Sequence, residues 1–233
     1  MKDTPILFSA PMVRAILDGR KTLTRRVVKW PSWVPDQDQE TAVYHLNILP
    51  EIAEFVDGTP RRRFGCPCGG PGDRLWVRET YYQLRQAPPG SPWGTQAEWV
   101  NKTECIRYAE HDWGGHPAEE FGYSKRPSIF MPRWASRISL DVLAVRVERV
   151  QEITEEDARA EGIAWAQTSV CAKNYYEAWI GKPGTGKCRN VCHEDARPVF
   201  AQVWDSLNAA RGFPWASNPW VWVITFRRLE VPA

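Results

Sequence analysis

The sequence predicts an α+β fold built around one small curled β-sheet, and three observations carry that prediction. Asn218-Pro219 introduces Trp220-Val221-Trp222-Val223-Ile224-Thr225-Phe226, where Trp220, Trp222, Ile224 and Phe226 share one face and Val221 and Val223 the other. A strand apolar on both sides belongs in the interior of a sheet. Arg137-Ile138-Ser139-Leu140-Asp141-Val142 alternates, slips at Leu143 and resumes at Val145 and Val147, as expected of a bulge where a sheet curls toward a barrel. Short helical patterns lie among these strands, which excludes an all-β chain.

Taken in order, Pro5-Ile6-Leu7-Phe8 is a short apolar start. Ser9 is placed to cap a helix opened by Pro11, because a proline in the first turn gives up no needed donor. Met12, Ala15 and Ile16 share a face of that helix and Gly19 is its natural stop. Residues 30–64, with Pro31, Pro35, Pro50 and Pro60 and weak periodicity, read as an irregular insertion closing on Arg61-Arg62-Arg63. Pro71-Gly72-Asp73 is a turn signal that launches the alternating strand Arg74–Thr80. Leu75 and Val77 share its inner face with Glu79, whose expected partner is Arg25 or Arg26.

Residues 86–132, rich in Gly, Pro and Trp, form a second long insertion, and residues 164–193 a third. Between them Thr154 caps a short helix with acids in its first turn, ending at Glu161-Gly162. A last helix runs from about Ala196 to Asn208, with Val199, Val203 and Leu207 on one face. The whole is expected to be a single domain, 1–233, with insertions near 30–64, 86–132 and 164–193.

Composition narrows the function classes. A net charge of +2 gives no global field toward nucleic acid or membrane, so any polyanion site must be local. No apolar run approaches the ~20 residues a membrane helix requires, and Met1-Lys2-Asp3-Thr4-Pro5 lacks an apolar leader, so a cytoplasmic protein without a membrane partner is expected. In that setting the six cysteines are thiols or metal ligands rather than disulfides. Cys66-x-Cys68 and Cys188-x3-Cys192-His193 are candidate zinc ligands set against the simpler reading of free thiols. Gly181-Lys182-Pro183-Gly184-Thr185-Gly186-Lys187 matches a phosphate-binding loop until Cys188 replaces the hydroxyl that holds magnesium, so it reads as a flexible loop. The histidines are scattered without partners at ligand spacing. Of the tryptophans in or near regular elements (Trp76, Trp134, Trp204, Trp215, Trp220, Trp222), most should be core, with one or two free to stack on a base.

The chemistry concentrates in Gly19-Arg20-Lys21-Thr22-Leu23-Thr24-Arg25-Arg26, a string too polar to bury itself. Either it lines a polar cavity, with Thr24 as nucleophile and Lys21 as its base, or it is a basic loop facing phosphates or solvent. A lysine at its usual pKa of about 10.4 is charged at pH 7, and holding it neutral costs roughly 4.6 kcal/mol. Burial and the neighbouring Arg20, Arg25 and Arg26 lower that cost. Glu161, at the negative end of its helix, is suited to donate a proton.

Together these pieces resemble the ASCH superfamily, related to the PUA domains that bind RNA. The match lies in Gly19-Arg20-Lys21-Thr22-x-Thr24-x-Arg26, Gly72-Asp73-x-Leu75-x-Val77-x-Glu79, the Ile153-Thr154-Glu155 helix and the strand through Ile224-Thr225-Phe226. The long insertions resemble versions carried by tailed phages and prophages. The resemblance implies a PUA-like barrel flanked by short helices and a basic cleft for RNA or a nucleoside. One branch of small bacterial proteins hydrolyses N(4)-acetylcytidine; carried over, its catalytic set falls on Lys21 as base, Thr24 as nucleophile and Glu161 as proton donor. Arg20, Arg25, Arg26, Glu79 and Trp76 are then the expected substrate-binding residues, with no metal and no cofactor. This chain is more than twice as long as that branch. The alternatives are an RNA-binding module without chemistry, using Arg25, Arg26 and Arg61 to Arg63 on phosphates, and a ribonuclease in the same cleft.

Overall fold

The structure is a computed structural model that describes residues 1–49, 51–56, 59–86, 98–99, 101–108, 111–167, 174–180, 189–193 and 195–229. The first third of the chain holds β1 (Asp3–Leu7), α1 (Ala10–Leu17), β2 (Leu23–Val27), α2 (Gln39–Leu46), β3 (Glu51–Val56) and β4 (Thr59–Gly65). The middle holds β5 (Arg74–Arg78), β6 (Tyr81–Gln86), β7 (Glu98–Trp99), β8 (Ile106–Tyr108), β9 (Tyr123–Arg126) and β10 (Ser139–Arg149). The last third holds α3 (Glu155–Ala160), β11 (Ala164–Gln167), β12 (Asn174–Ile180), β13 (Arg189–His193), α4 (Ala196–Asn208) and β14 (Trp220–Arg228).

The α+β class holds, and its centre is the five-stranded sheet β1-β5-β10-β14-β2. β1 and β5 are parallel; the remaining neighbours are antiparallel. β14 separates two apolar layers, as its sequence demands. Trp222, Ile224 and Phe226 pack with Ile6, Phe8, Ile16, Leu75 and Val77 on one side. Val221 and Val223 pack with Leu23, Ile153, Val199, Phe200 and Trp204 under α3 and α4 on the other. The slip expected at Leu143 is a register shift between Val142 and Ala144 in the β10–β14 ladder.

The sheet curls without closing. Among the described residues no backbone ladder joins its edge strands β1 and β2. They are bridged instead by a side chain, the Arg26 Nη2 donating to the Leu7 carbonyl at 2.7 Å. The expected barrel is therefore an open sheet with a laced seam.

The insertions are more regular than their composition suggested. Residues 30–64 hold α2 and the β3–β4 hairpin, with Val43 and Leu46 reaching the main core. Residues 86–132 add β7, β8 and β9 to β6 in a second antiparallel sheet. Within 164–193 lies the three-stranded sheet β11-β12-β13, against which α4 packs. Strands this short, interrupted by Gly and Pro, leave little periodicity to read. On α4, Leu207 turns outward at 40% exposure, while Phe200 and Trp204 fill the buried face beside Val199.

Candidate active site

Backbone hydrogen bonds hold the cationic stretch from three sides. α1 stops at Asp18, and Gly19 turns the chain at φ +74°. The N–H groups of Arg20 and Lys21 then both donate to the Ala15 carbonyl, at 2.9 and 3.0 Å. The Thr22 N–H donates to the Ala160 carbonyl of α3, and the Phe226 N–H of β14 donates to the Thr22 carbonyl, each at 2.9 Å. Thr154 caps α3 by accepting from the Asp157 N–H at 3.1 Å. Capping by Thr154 fixes where α3 begins and Gly162 at positive φ where it stops, which leaves Glu161 at its C-cap.

This lacing brings Lys21 and Glu161 together across 140 positions of chain: Lys21 Nζ donates to Glu161 Oε2 at 2.5 Å. Nζ also donates to the carbonyls of Leu23 and Glu161, each at 2.9 Å. The Lys21 side chain is 0% exposed and that of Glu161 5%. Burial pulls the Lys21 ammonium below its ordinary range; Glu161 opposes the shift, and Arg26 and Arg25 add to it.

Gly162, which follows Glu161 at φ +95°, makes the approach possible. A Cβ there would lie 3.0 Å from that of Ala15 and 3.2 Å from that of Lys21. The Glu161-Gly162 pair was visible in the sequence as a helix stop; that the glycine is needed for close packing against Lys21 was not.

Thr24 is buried, and its cross-strand partner is Ile224. Partners in a ladder point to the same face, so Thr24 faces the layer of Ile224, Phe8 and Phe226. Phe8 also lies beneath the Lys21 ammonium, 5.6 Å from its ring centre, and the Arg26 guanidinium, at 5.2 Å. The hydrogen bonds of Lys21 Nζ go to Leu23 and Glu161, none to the Thr24 hydroxyl. Base and nucleophile thus share a neighbourhood without the bond that would join them.

The arginines divide. Arg25 is turned inward, its side chain 0% exposed, with Nη2 on Glu148 at 2.6 Å and Asp157 at 2.7 Å. Its Nη1 lies 3.7 Å from Glu161 Oε1. Arg146 pairs with the same Glu148 and Asp157, completing a network the sequence reading missed. The available signal was Arg146-x-Glu148, two residues in phase on one strand face. Arg26 is held between Phe8 and the Leu7 carbonyl; burial lowers its pKa, Arg211 adds to this, and Cys68 and Glu161 oppose it. Arg20 remains at the surface, paired with Asp18 at 2.9 Å and donating to the Gly162 carbonyl at 3.1 Å.

Glu79 and Trp76 lie apart from the Lys21–Glu161 pair. Glu79 receives both arms of Arg137, each at 2.9 Å; the expected partners Arg25 and Arg26 are engaged elsewhere. A cavity of about 240 Å³ along α1 includes Arg14, Glu79 and Thr80 in its wall but none of Lys21, Thr24 or Glu161. Trp76 is buried under the guanidinium of Arg78, 4.7 Å from its ring centre, with Arg133 at 5.9 Å.

Cys66 and Cys68 are free thiols beside the main core. A hydrogen bond from Cys66 holds the Cys68 thiol below its ordinary pKa, helped by Arg26 and opposed by burial. The same bond and burial push Cys66 up. Cys188, the Gly181–Lys187 loop, and the side chains of Cys192, His193, Arg61 and Arg62 lie outside the described residues. Among the described residues no group of three or more His, Cys, Asp or Glu is placed to hold a metal ion, and no helix is long and apolar enough to cross a membrane.

Comparison with known proteins adds no relative: no protein-family model, curated protein or solved structure matches the chain.

Proposed function

We propose that the chain is a PUA-like protein of the ASCH type, and that it hydrolyses the acyl amide of N(4)-acetylcytidine or a related modified cytosine nucleoside. The observation that carries this reading is the 2.5 Å contact between Lys21 Nζ and Glu161 Oε2, two buried side chains. A proton passing along that contact converts the ion pair to a neutral amine and a carboxylic acid, and burial favours the neutral form of the lysine. The pair then supplies a base and an acid together.

In the acylation step Nζ releases the Leu23 carbonyl and takes the proton of Thr24 Oγ, which attacks the acyl carbon. Glu161 gives its proton to the departing exocyclic amine, leaving cytidine and an acyl-threonine ester. The resulting ammonium and carboxylate exchange a proton again. Lys21 next deprotonates water, water attacks the ester, and Glu161 returns a proton to Thr24. The carboxylic acid product loses its proton to solvent, and the pair ends as it began.

Incubation with N(4)-acetylcytidine, with cytidine followed by chromatography, tests the proposal. Thr24→Ala is expected to abolish turnover and Thr24→Ser to keep part of it. Absence of turnover in the parent protein, or turnover that survives Thr24→Ala, refutes the mechanism. In the alternative, an RNA-binding module gripping phosphates, affinity would fall steeply with salt. The inward pairing of Arg25 with Glu148 and Asp157 removes one of the cations that reading relies on.

A further inference from the structure

The second sheet carries a site that the Lys21 chemistry does not use. Trp113 stands at the centre of an aromatic cluster. It stacks on Phe121 with ring centres 5.7 Å apart at 30°, and tilts against Tyr123 at 5.2 Å. Tyr82 and His111 meet it edge-on at 5.5 and 4.5 Å. Beside it opens a cavity of about 230 Å³ walled by Trp113, Phe121, Tyr123, Arg107, His111 and Asp112. Phe121 is left 50% exposed at its rim. Trp113, Tyr82 and Tyr123 are only partly buried and His111 is exposed, so the group lies outside the buried core of this sheet formed by Tyr81, Ile106, Met131 and Ala135.

Two polar groups border the aromatic wall. Arg107 Nη1 is engaged with the Glu104 and Ile106 carbonyls at 2.7 and 2.8 Å, which fixes the guanidinium while its other nitrogens remain available. Asp112 Oδ1 accepts from the Gly114 N–H at 2.8 Å, which leaves Oδ2 to receive a donor. A flat π surface bordered by a fixed donor and a fixed acceptor complements the edge of a heterocycle with adjacent donors and acceptors.

We infer that this cavity binds an unpaired nucleobase, free or within a single strand. The base lies on the outer face of the aromatic wall. It cannot slide between Trp113 and Phe121, because two stacking gaps need roughly 7 Å. The volume falls below the ~300–1,000 Å³ of drug-sized ligand pockets and suits one ring system. A quaternary ammonium, the other usual guest of an aromatic cage, is disfavoured because the Arg107 guanidinium already covers Tyr123, 5.4 Å from its ring centre.

Calorimetric titration with adenosine monophosphate, and anisotropy of a fluorescein-labelled oligoadenylate of about eight nucleotides, test the inference. Phe121→Ala, at an exposed position that leaves the fold intact, and Trp113→Leu are expected to weaken binding by about 5- to 150-fold, the range for losing one stacked base. An oligomer bound more tightly than the mononucleotide assigns the site to single strands; equal affinities assign it to free nucleotides. The inference is overturned if neither probe binds, if Phe121→Ala binds like the parent, or if choline or inorganic pyrophosphate displaces the probe as well as a nucleotide does.

Discussion

Replacing Lys21 by methionine removes a charge that the fold has enclosed completely. The substitution keeps an unbranched side chain as far as the Cε position but deletes the hydrogen bonds to Leu23, to the Glu161 carbonyl and to Glu161 Oε2. Glu161 is left with 5% side-chain exposure and no close ammonium. Breaking one side of a buried pair costs about 3–5 kcal/mol. Arg25 Nη1, 3.7 Å from Glu161 Oε1 and without a hydrogen bond of its own, offsets part of the loss, so the low end, about 3 kcal/mol, is expected. For a chain of this length that lowers Tm by roughly 6–12 °C. The double variant Lys21→Met, Glu161→Met removes both charges and is expected to recover most of the loss, which a double-mutant cycle in urea reads as a coupling above about 1.5 kcal/mol. The pH dependence has a definite sign. The unfolded chain keeps its lysine proton to about 10.4, whereas native Lys21 gives it up at lower pH. Between those two values the unfolded state binds more protons, so Lys21 contributes stability that grows as pH rises through the window; Lys21→Met lacks that rise. A single variant within about 0.5 kcal/mol of the parent, or a double variant as damaged as the sum of the singles, would refute the reasoning.

Three further outcomes follow from the same geometry. Gly162→Ala puts a Cβ against Ala15 and Lys21 at a positive φ; a loss of about 2 kcal/mol by chemical denaturation, with turnover falling as Glu161 is displaced, is expected. Arg137→Met removes both guanidinium hydrogen bonds from Glu79, whose side chain is 4% exposed, and is expected to cost about 1.5–3 kcal/mol, measured as a shift of the urea midpoint; an unchanged midpoint contradicts the pairing. Limited alkylation with iodoacetamide at neutral pH, read by peptide mass spectrometry, is expected to label Cys68 before Cys66, because the thiolate is the nucleophile and only Cys68 is shifted downward.

The legible parts of this chain were those where one local pattern had one physical solution. β14 was readable because alternating large residues on both faces allow only an interior strand, and the Leu143 slip because a side-chain period of two makes any phase error visible. The α1 and α3 boundaries were readable from Pro11, Gly19 and Thr154; Ser9 stands at the N-cap position of α1 but makes no side-chain capping bond. The small sheets of the insertions were not, since strands of two to seven residues take their stability from neighbours that are distant in sequence. The Arg137 partner of Glu79 and the Trp113 cluster are equally non-local: nothing near Glu79 marks a residue 58 positions on, and Trp113 lies in a stretch whose composition suggested only a loop.

The charge network bears directly on which functional reading survives. As a sequence, the run from Arg20 to Arg26 looks like an anion grip, because its cations outnumber any local acids. Folded, it faces Glu148, Asp157 and Glu161, three carboxylates delivered by β10 and the two ends of α3. Lys21 and Arg25 are neutralised there, with side chains wholly removed from solvent. Arg26 turns to a carbonyl and an aromatic ring, and only Arg20 keeps an exposed charge, already paired with Asp18. A phosphate arriving at this site would have to displace carboxylates from low-dielectric contacts, which costs far more than the screened attraction it would gain. A neutral acylated base carries no charge to set against those carboxylates. The pairing therefore weakens the phosphate-gripping alternative, and a strong salt dependence of binding that is lost in Arg25→Met would be the result least compatible with the proposed hydrolase.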